Sequence, residues 1–276
     1  MNNQDQGADK RPHLDSMLMR ESLLDKDLMP STETPVFRML PYAQVIKIGG
    51  RSIMDAGKDI TIPAVSELAD ALTEHKLIIG TGGGTRSRHV FSVGIDMGMP
   101  TGVLAELAQA DALGNAHILG TLLAPYGVVA IPPEMFGHLL PMFLHSVPGV
   151  IFSGVPPYSL WEHPPKIGSI PPHRTDAGAL LLAECFGCKR LTLVKNVNGL
   201  YDKDPNLHSD ANFIDSISVS DLLKRELPTL PFEPILLDIL PNGRLINEFQ
   251  IVNGAVPGNI SAALKGEHVG TIIHCD

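Results

Sequence analysis

Cysteine is scarce in this 276-residue chain, and Cys185, Cys188 and Cys275 cannot supply a disulfide framework. Cys185 and Cys188 make a C-x-x-C pair, but there is no second pair to complete a tetrahedral zinc site. They read as buried small hydrophobes at the end of an apolar helix (177–186) with Gly187 as its C-cap. No apolar run reaches the ~18 residues that a membrane span needs. The N-terminus lacks the basic-then-apolar order of a signal peptide, so the expected location is the cytoplasm. Positive charge is also short: the formal net charge is -9, which argues against nucleic acid or an anionic membrane as the main partner. Two nucleotide fingerprints are missing as well. There is no G-x-x-x-x-G-K-[ST], and no strand is followed by G-x-G-x-x-G with an acidic residue about 20 positions on. No internal repeat is present. Hydrophobic content of 44% and charged content of 18% remain those of a folded globular chain.

What is present is glycine, in two clusters. Lys47-Ile48-Gly49-Gly50 follows an apolar run from Ala43, and Gly80-Thr81-Gly82-Gly83-Gly84-Thr85-Arg86 follows Leu77–Ile79. Glycine turns sharply and puts no Cβ between backbone amides and an approaching anion. A helix N-terminus beyond such a turn adds a positive end. Two such turns, one carrying Lys47 and the other Arg86, predict a polyphosphate held between them.

From about residue 41 the chain alternates strand and helix signals. Strands are expected at 45–48, 77–79, 128–131, 150–153, 190–195, 249–253 and 271–274, and helices at 61–73, 88–97 and 105–123. This alternation predicts an α/β fold with a mostly parallel sheet covered on both faces. Residues 1–40 carry Leu14, Met17, Leu18, Leu24 and Leu28 near helical spacing and read as an N-terminal arm for oligomer contacts, or as a loose tail. Residues 41–276 make the domain. Two irregular stretches interrupt it: a proline-rich loop at 154–175, with His163 and His173, and a turn-rich segment at 196–210.

Taken together, KIGG at 47–50, GTGGGTR at 80–86, TDAGALLLAE at 175–184, KNVNGLYDKDP at 195–205 and GEHVGTII at 266–273 resemble the amino acid kinase family. The resemblance implies a three-layer αβα sandwich with a largely parallel central sheet. It implies ATP with Mg2+ as ligand. Lys47 is then the phosphate-neutralising lysine, with Gly49 and Gly50 beside it and Gly82, Gly83 and Gly84 as the second loop. Asp176 is the aspartate that orients lysines or the metal–phosphate assembly. Lys195, Asn198, Gly199, Tyr201, Asp204 and Pro205 belong to the nucleotide segment. Phosphoryl transfer needs such positioning and charge neutralisation more than covalent chemistry.

UMP kinases are the common relatives with a reaction, and here the chain departs from them. Gly84-Thr85-Arg86-Ser87-Arg88-His89 replaces their GGGN loop, and Ile170–Asp176 replaces their acceptor stretch. The longer segments GTGGGTRSRHVFS, FSGVPPYSLW, IPPHRTDAG and IVNGAVPGN are instead similar to an oxyanion-storing branch of the family. Members of that branch load molybdate or tungstate with ATP and hold it as polyoxometalate clusters in a hexameric cage. The resemblance implies homologous subunits, of one type or two, as partners. A UMP-kinase-like phosphotransferase is the alternative, and a chain that binds ATP without turnover is a third. Oxyanion clusters call for imidazole, amide and carboxylate groups, so Glu106, Gln109, Asn115, His117, His138 and His145 are the candidate ligands. Gln109 and His117 can project from one helix face. Glu106 also reads as a solvated charge, and His138 and His145 also as core histidines. His163 and His173 line either the cage or a subunit interface.

Overall fold

A computed structural model describes residues 36–205 and 207–276, and for Gly137 and His138 the backbone alone. The proposed arm therefore lies outside the described residues except for its last few. Of those, Arg38–Leu40 already belong to the compact unit Arg38–Asp276. Leu40 is buried, and the amides of Met39 and Leu40 donate to the Phe186 carbonyl.

The strand segments are apolar on both sides because both sides are covered. In β1 (Ala43–Ile48) every residue is buried, and β2 (Lys76–Thr81) is buried beyond its first residue. Val45, Ile78, Val150, Leu191, Leu193, Phe249 and Ile251 join one core. Their neighbours Ile46, Ile48, Ile79, Ile151, Val194 and Val252 join a second. Alternation of successive side chains across a strand turns one sheet into the middle of three layers.

The elements follow in order: α1 (Lys58–Ala71), β2, α2 (Gly84–Asp96), α3 (Thr101–Leu123), β3 (Val128–Ala130), α4 (Phe136–Ser146), β4 (Gly149–Phe152), α5 (Thr175–Phe186) and β5 (Arg190–Lys195). A small antiparallel pair, β6 (Leu200–Tyr201) and β7 (Phe213–Ile214), precedes β8 (Ser216–Ser218), α6 (Val219–Arg225), α7 (Leu236–Ile239), β9 (Glu248–Asn253), α8 (Asn259–Lys265) and β10 (Thr271–His274). The eight-stranded sheet runs β3-β4-β2-β1-β5-β9-β10-β8. Every pairing in it is parallel except β9 with β10. The chain builds outward from β1 to β2 and β4 on one side, then returns to lay β5 on the other side of β1. That reversal is a topological switch point, where the carboxyl ends of parallel strands open a crevice.

Two local expectations shift. Helix α1 starts at Lys58, after Gly57 at φ 83, so Pro63 sits inside the helix and not in its first turn. Of the C-x-x-C pair only Cys188 is buried, while Cys185 is exposed. Burial pushes the Cys188 thiol up to about 12, with Cys185 adding to the shift, which keeps it a thiol at neutral pH. Gly187 does cap α5, in the left-handed region at φ 59. A Cβ there would also lie 2.8 Å from Arg38 Cγ. Gly187→Ala is expected to lower the unfolding free energy by about 1–2 kcal/mol, read by denaturant unfolding at unchanged m-value.

Candidate nucleotide and oxyanion site

Three strand ends at the switch point carry the chemistry. Ile48 pairs with Thr81 of β2 and with Val194 of β5, so Lys47, the second glycine loop and Lys195 emerge side by side. Lys47 shares a sheet face with Val45, and Lys195 shares one with Leu193, and both Val45 and Leu193 face the core that holds α5. Helix α5 presents Asp176 in its first turn. The carboxylate lies between the two lysines, with Oδ1 2.8 Å from Lys47 Nζ and Oδ2 2.7 Å from Lys195 Nζ. All three groups are largely buried: Asp176 is 3% exposed, Lys47 6% and Lys195 13%.

Burial alone would push the Asp176 carboxyl up, but the charges of Lys195 and Lys47 outweigh it and hold the group below the usual carboxylate range. Burial lowers Lys195 to about 8, with Asp176 opposing the shift and Lys47 adding to it. The N-terminus of α5 is closed from a distance by Glu233, whose carboxylate accepts from the amides of Arg174 (3.1 Å), Asp176 (3.0 Å) and Ala177 (3.0 Å). A carboxylate there complements the positive end of the helix. Nothing in the local sequence announces this, because Glu233 is 57 residues from Asp176.

The two glycine loops lie against each other. A Cβ on Gly50 would fall inside contact distance of the Gly82 carbonyl and the Gly84 amide. A Cβ on Gly82 would sit 2.9 Å from the Gly50 amide and 3.2 Å from Lys47 Nζ. Gly84 opens α2 at φ 72, with the Asp55 carboxylate where its Cβ would be, and Asp55 Oδ2 accepts from the Thr85 amide at 2.6 Å. The amides of Gly49 and Gly82 are engaged internally, donating to the Val194 and Ile48 carbonyls.

These loops form the floor of a cavity of about 1080 Å³. It is lined by Lys47, Gly49, Gly50, Gly82, Gly83, Gly84, Asp176, Lys195, Asn198, Tyr201, Asp204 and Pro205, all named from sequence. Gly199 and Arg86 do not line it. Gly199, at φ 144, instead packs where a Cβ would strike Thr271 and Phe213. Arg86 donates to the Asn115 Oδ1, and Asn115 Nδ2 donates to the Gly82 carbonyl at 2.6 Å. Helix α2 advances about 100° per residue, so residues two apart point to opposite sides. Arg88 therefore reaches the cavity and Arg86 does not. Arg51, Arg88 and Arg174 join Lys47 and Lys195 in the lining, against Asp176, Asp204 and Glu233. Cations outnumber carboxylates here, although the chain as a whole carries -9.

Among the described side chains, the candidate cluster ligands sit in different environments. Asn115 is buried and braces the second glycine loop, while His117, 200° away on the same helix, is exposed. Glu106 and His145 are exposed too, so His145 is not a core histidine. Gln109 donates to Glu134 Oε1 at 2.9 Å and accepts from Ser159 at 2.6 Å. Glu106 and His117 stand ~16 Å apart along α3. The His138 side chain lies outside the described residues.

Comparison with known proteins gives four findings. The model of the amino acid kinase family matches residues 43–243. The chain is 46% identical over 267 residues to the molybdenum storage protein subunit beta of Azotobacter vinelandii, spanning 96% of this chain and 98% of that one. It is 28% identical to the uridylate kinase of Methanocaldococcus jannaschii over 185 residues, 63% of this chain and 75% of that enzyme. Among solved structures, uridylate kinase from Archaeoglobus fulgidus shares the fold, with a TM-score of 0.65 at 21% identity over 83% of this chain and 99% of that one.

Two outcomes follow from the lysine–aspartate–lysine arrangement. Asp176→Asn leaves two buried ammonium groups without their counter-charge and is expected to cost about 3–5 kcal/mol in denaturant unfolding. Lys195 keeps its charge below about 8 and loses it above. Affinity for a polyphosphate is therefore expected to fall as pH rises through about 8, while the fold gains stability from this group between about 8 and the unfolded value of 10.5. Calorimetric titration with ATP from pH 7 to 9 reads the effect, and Lys195→Arg is expected to flatten it.

Proposed function

The chain belongs to the amino acid kinase family, and from that footing we propose that it is a subunit of an oligomeric cage that takes up molybdate or tungstate, driven by ATP, and holds it as polyoxometalate clusters. The observation that carries the cargo is the 46% identity, over 96% of the chain, to a protein named for molybdenum storage. A match of that extent includes the proline-rich loop and the segments that differ from UMP kinases. The solvent-facing positions of Glu106, His117 and His145 suit ligands that meet only between subunits. A hexamer of similar chains is the assembly proposed.

The nucleotide part rests on the cavity. Its volume is about that of a small-molecule site, its floor is two glycine loops packed too closely to admit side chains, and its lining is locally basic. Lys47 and Lys195 would neutralise phosphate oxygens, and the amides of Gly50, Gly83 and Gly84 would donate to them. Asp176 holds both lysines in register. For Mg2+ the donor set is sparse: Asp176 is engaged by the lysines and Glu233 by helix amides. That fits an ion held chiefly by phosphate oxygens and water, as Mg2+ favours, with Asp204 the further carboxylate of the lining. When bound, the ion would supply charge neutralisation between phosphates.

A second reading has an observation behind it. A buried lysine–aspartate–lysine group at a switch point also serves a phosphotransferase, and uridylate kinases are among the relatives. One experiment separates the two. The purified oligomer incubated with molybdate, ATP and Mg2+ and then desalted is expected to retain molybdenum, measured by elemental analysis, and to form no extra ADP when UMP is added. Loss of all molybdenum together with UMP-dependent ADP formation would replace storage with nucleotide phosphorylation.

A further inference from the structure

A second constellation lies in the proline-rich loop. Glu162 and His163 follow the short helical turn Ser159–Trp161, and His173 sits at the far end of the loop. One ligand atom from each of Glu162, His163 and His173 lies within 4.8 Å of the others. The Glu162 side chain is 1% exposed, and its Oε1 is 3.1 Å from His173 Nδ1 and 3.9 Å from His163 Nε2. Its Oε2 is buried with no hydrogen-bond partner. A buried carboxylate oxygen left unpaired is costly unless an ion or proton meets it. The carboxylate charge is felt locally, since burial and Glu162 together push the Tyr158 hydroxyl up to about 12.

The imidazole of His163 is already set for ligation. Its Nδ1 is 2.9 Å from the Pro164 carbonyl, which only accepts, so Nδ1 carries the proton. In the neutral ring this leaves the lone pair on Nε2, the atom that faces Glu162. A carbonyl fixing one imidazole nitrogen so that the other can bind a metal is the usual outer-shell arrangement.

The geometry points to a binding site for one divalent transition-metal ion of the Zn2+ class, held by Glu162, His163 Nε2 and His173 Nδ1. Two nitrogens and one carboxylate oxygen suit such an ion, whereas Mg2+ and Ca2+ prefer oxygen donors throughout. Ligands ~2.0–2.2 Å from a tetrahedral ion stand roughly 3.3–3.6 Å from each other, between the 3.1 and 3.9 Å that separate Glu162 Oε1 from the two imidazole nitrogens. The anionic carboxylate favours a cation here over an oxyanion, which separates this site from the cargo. The ion would tie His173 to Glu162 and His163, closing the segment Pro164–Pro172. His173, Arg174, Thr175 and Asp176 all line the nucleotide cavity, so the clamp would brace the loop leading into α5. This inference does not depend on the storage reading.

The test uses the full-length protein without a histidine tag, stripped with chelator and titrated with Zn2+ alone, in the absence of nucleotide and molybdate. About one tight Zn2+ per chain is expected. Glu162→Gln and His163→Gln are each expected to weaken it at least ~10-fold, whereas His145→Gln leaves it unchanged. His163 is 58% exposed and packs edge-to-face with His173, and circular dichroism checks that both variants are folded. Co2+ in place of Zn2+ is expected to give a visible absorption band that vanishes in His163→Gln. Equal Zn2+ affinity in wild type and His163→Gln would overturn the proposal. So would capture of molybdate, not Zn2+, that depends on His163.

Discussion

The site depends on Asp176 sitting between Lys47 and Lys195. Two ammonium groups this deeply buried would repel each other and lose hydration without a carboxylate between them. The carboxylate in turn would be protonated more readily without the lysines. The lysines hold the carboxylate ionised, and the carboxylate opposes the loss of charge that burial imposes on Lys195, so two cations are fixed in the crevice. Glu233 extends the arrangement by holding the amides at the start of α5, which keeps Asp176 at its height relative to the strands.

The sheet order makes that possible. Because β5 returns to the opposite side of β1 from β2, three strand ends converge on one crevice. Alternation then sends Lys47 and Lys195 toward the same helix. The glycines are needed for a related reason: the loops after β1 and β2 approach so closely that Gly50 and Gly82 leave no space for side chains. Asn115 and Arg86 brace the second loop from behind. Such a frame supplies charge, amides and shape, and it suits a polyphosphate before any statement about the reaction. The storage proposal is a separate matter, resting on likeness to a protein named for molybdenum storage.

Much of this was legible in the sequence. The seven strands of the expected list are all present, because buried parallel strands read as apolar runs. The fold's layers and most of the cavity lining followed from the glycine loops and the family motifs. What escaped was what local sequence does not encode. The strand Ser216–Ser218, at the sheet edge, is too short and polar to show a pattern. Glu233 acts across 57 residues, and Arg88 and Arg86 could be told apart only once α2 was seen to start at Gly84. Asn115 suits an oxyanion ligand by residue type, and only the fold shows that its side chain bonds to Gly82 and Arg86. The Glu162–His163–His173 group was hidden because the loop folds residues eleven apart into contact.

If the Lys47–Asp176–Lys195 group holds a polyphosphate, calorimetric titration of Mg–ATP into wild type and Lys47→Met, with circular dichroism confirming that both are folded, separates the two proteins. Saturable binding by wild type and a loss of at least ~10-fold in affinity in Lys47→Met are expected, since a buried charge-assisted contact to phosphate contributes more than a neutral one. Equal affinity in the two folded proteins would contradict a polyphosphate site there.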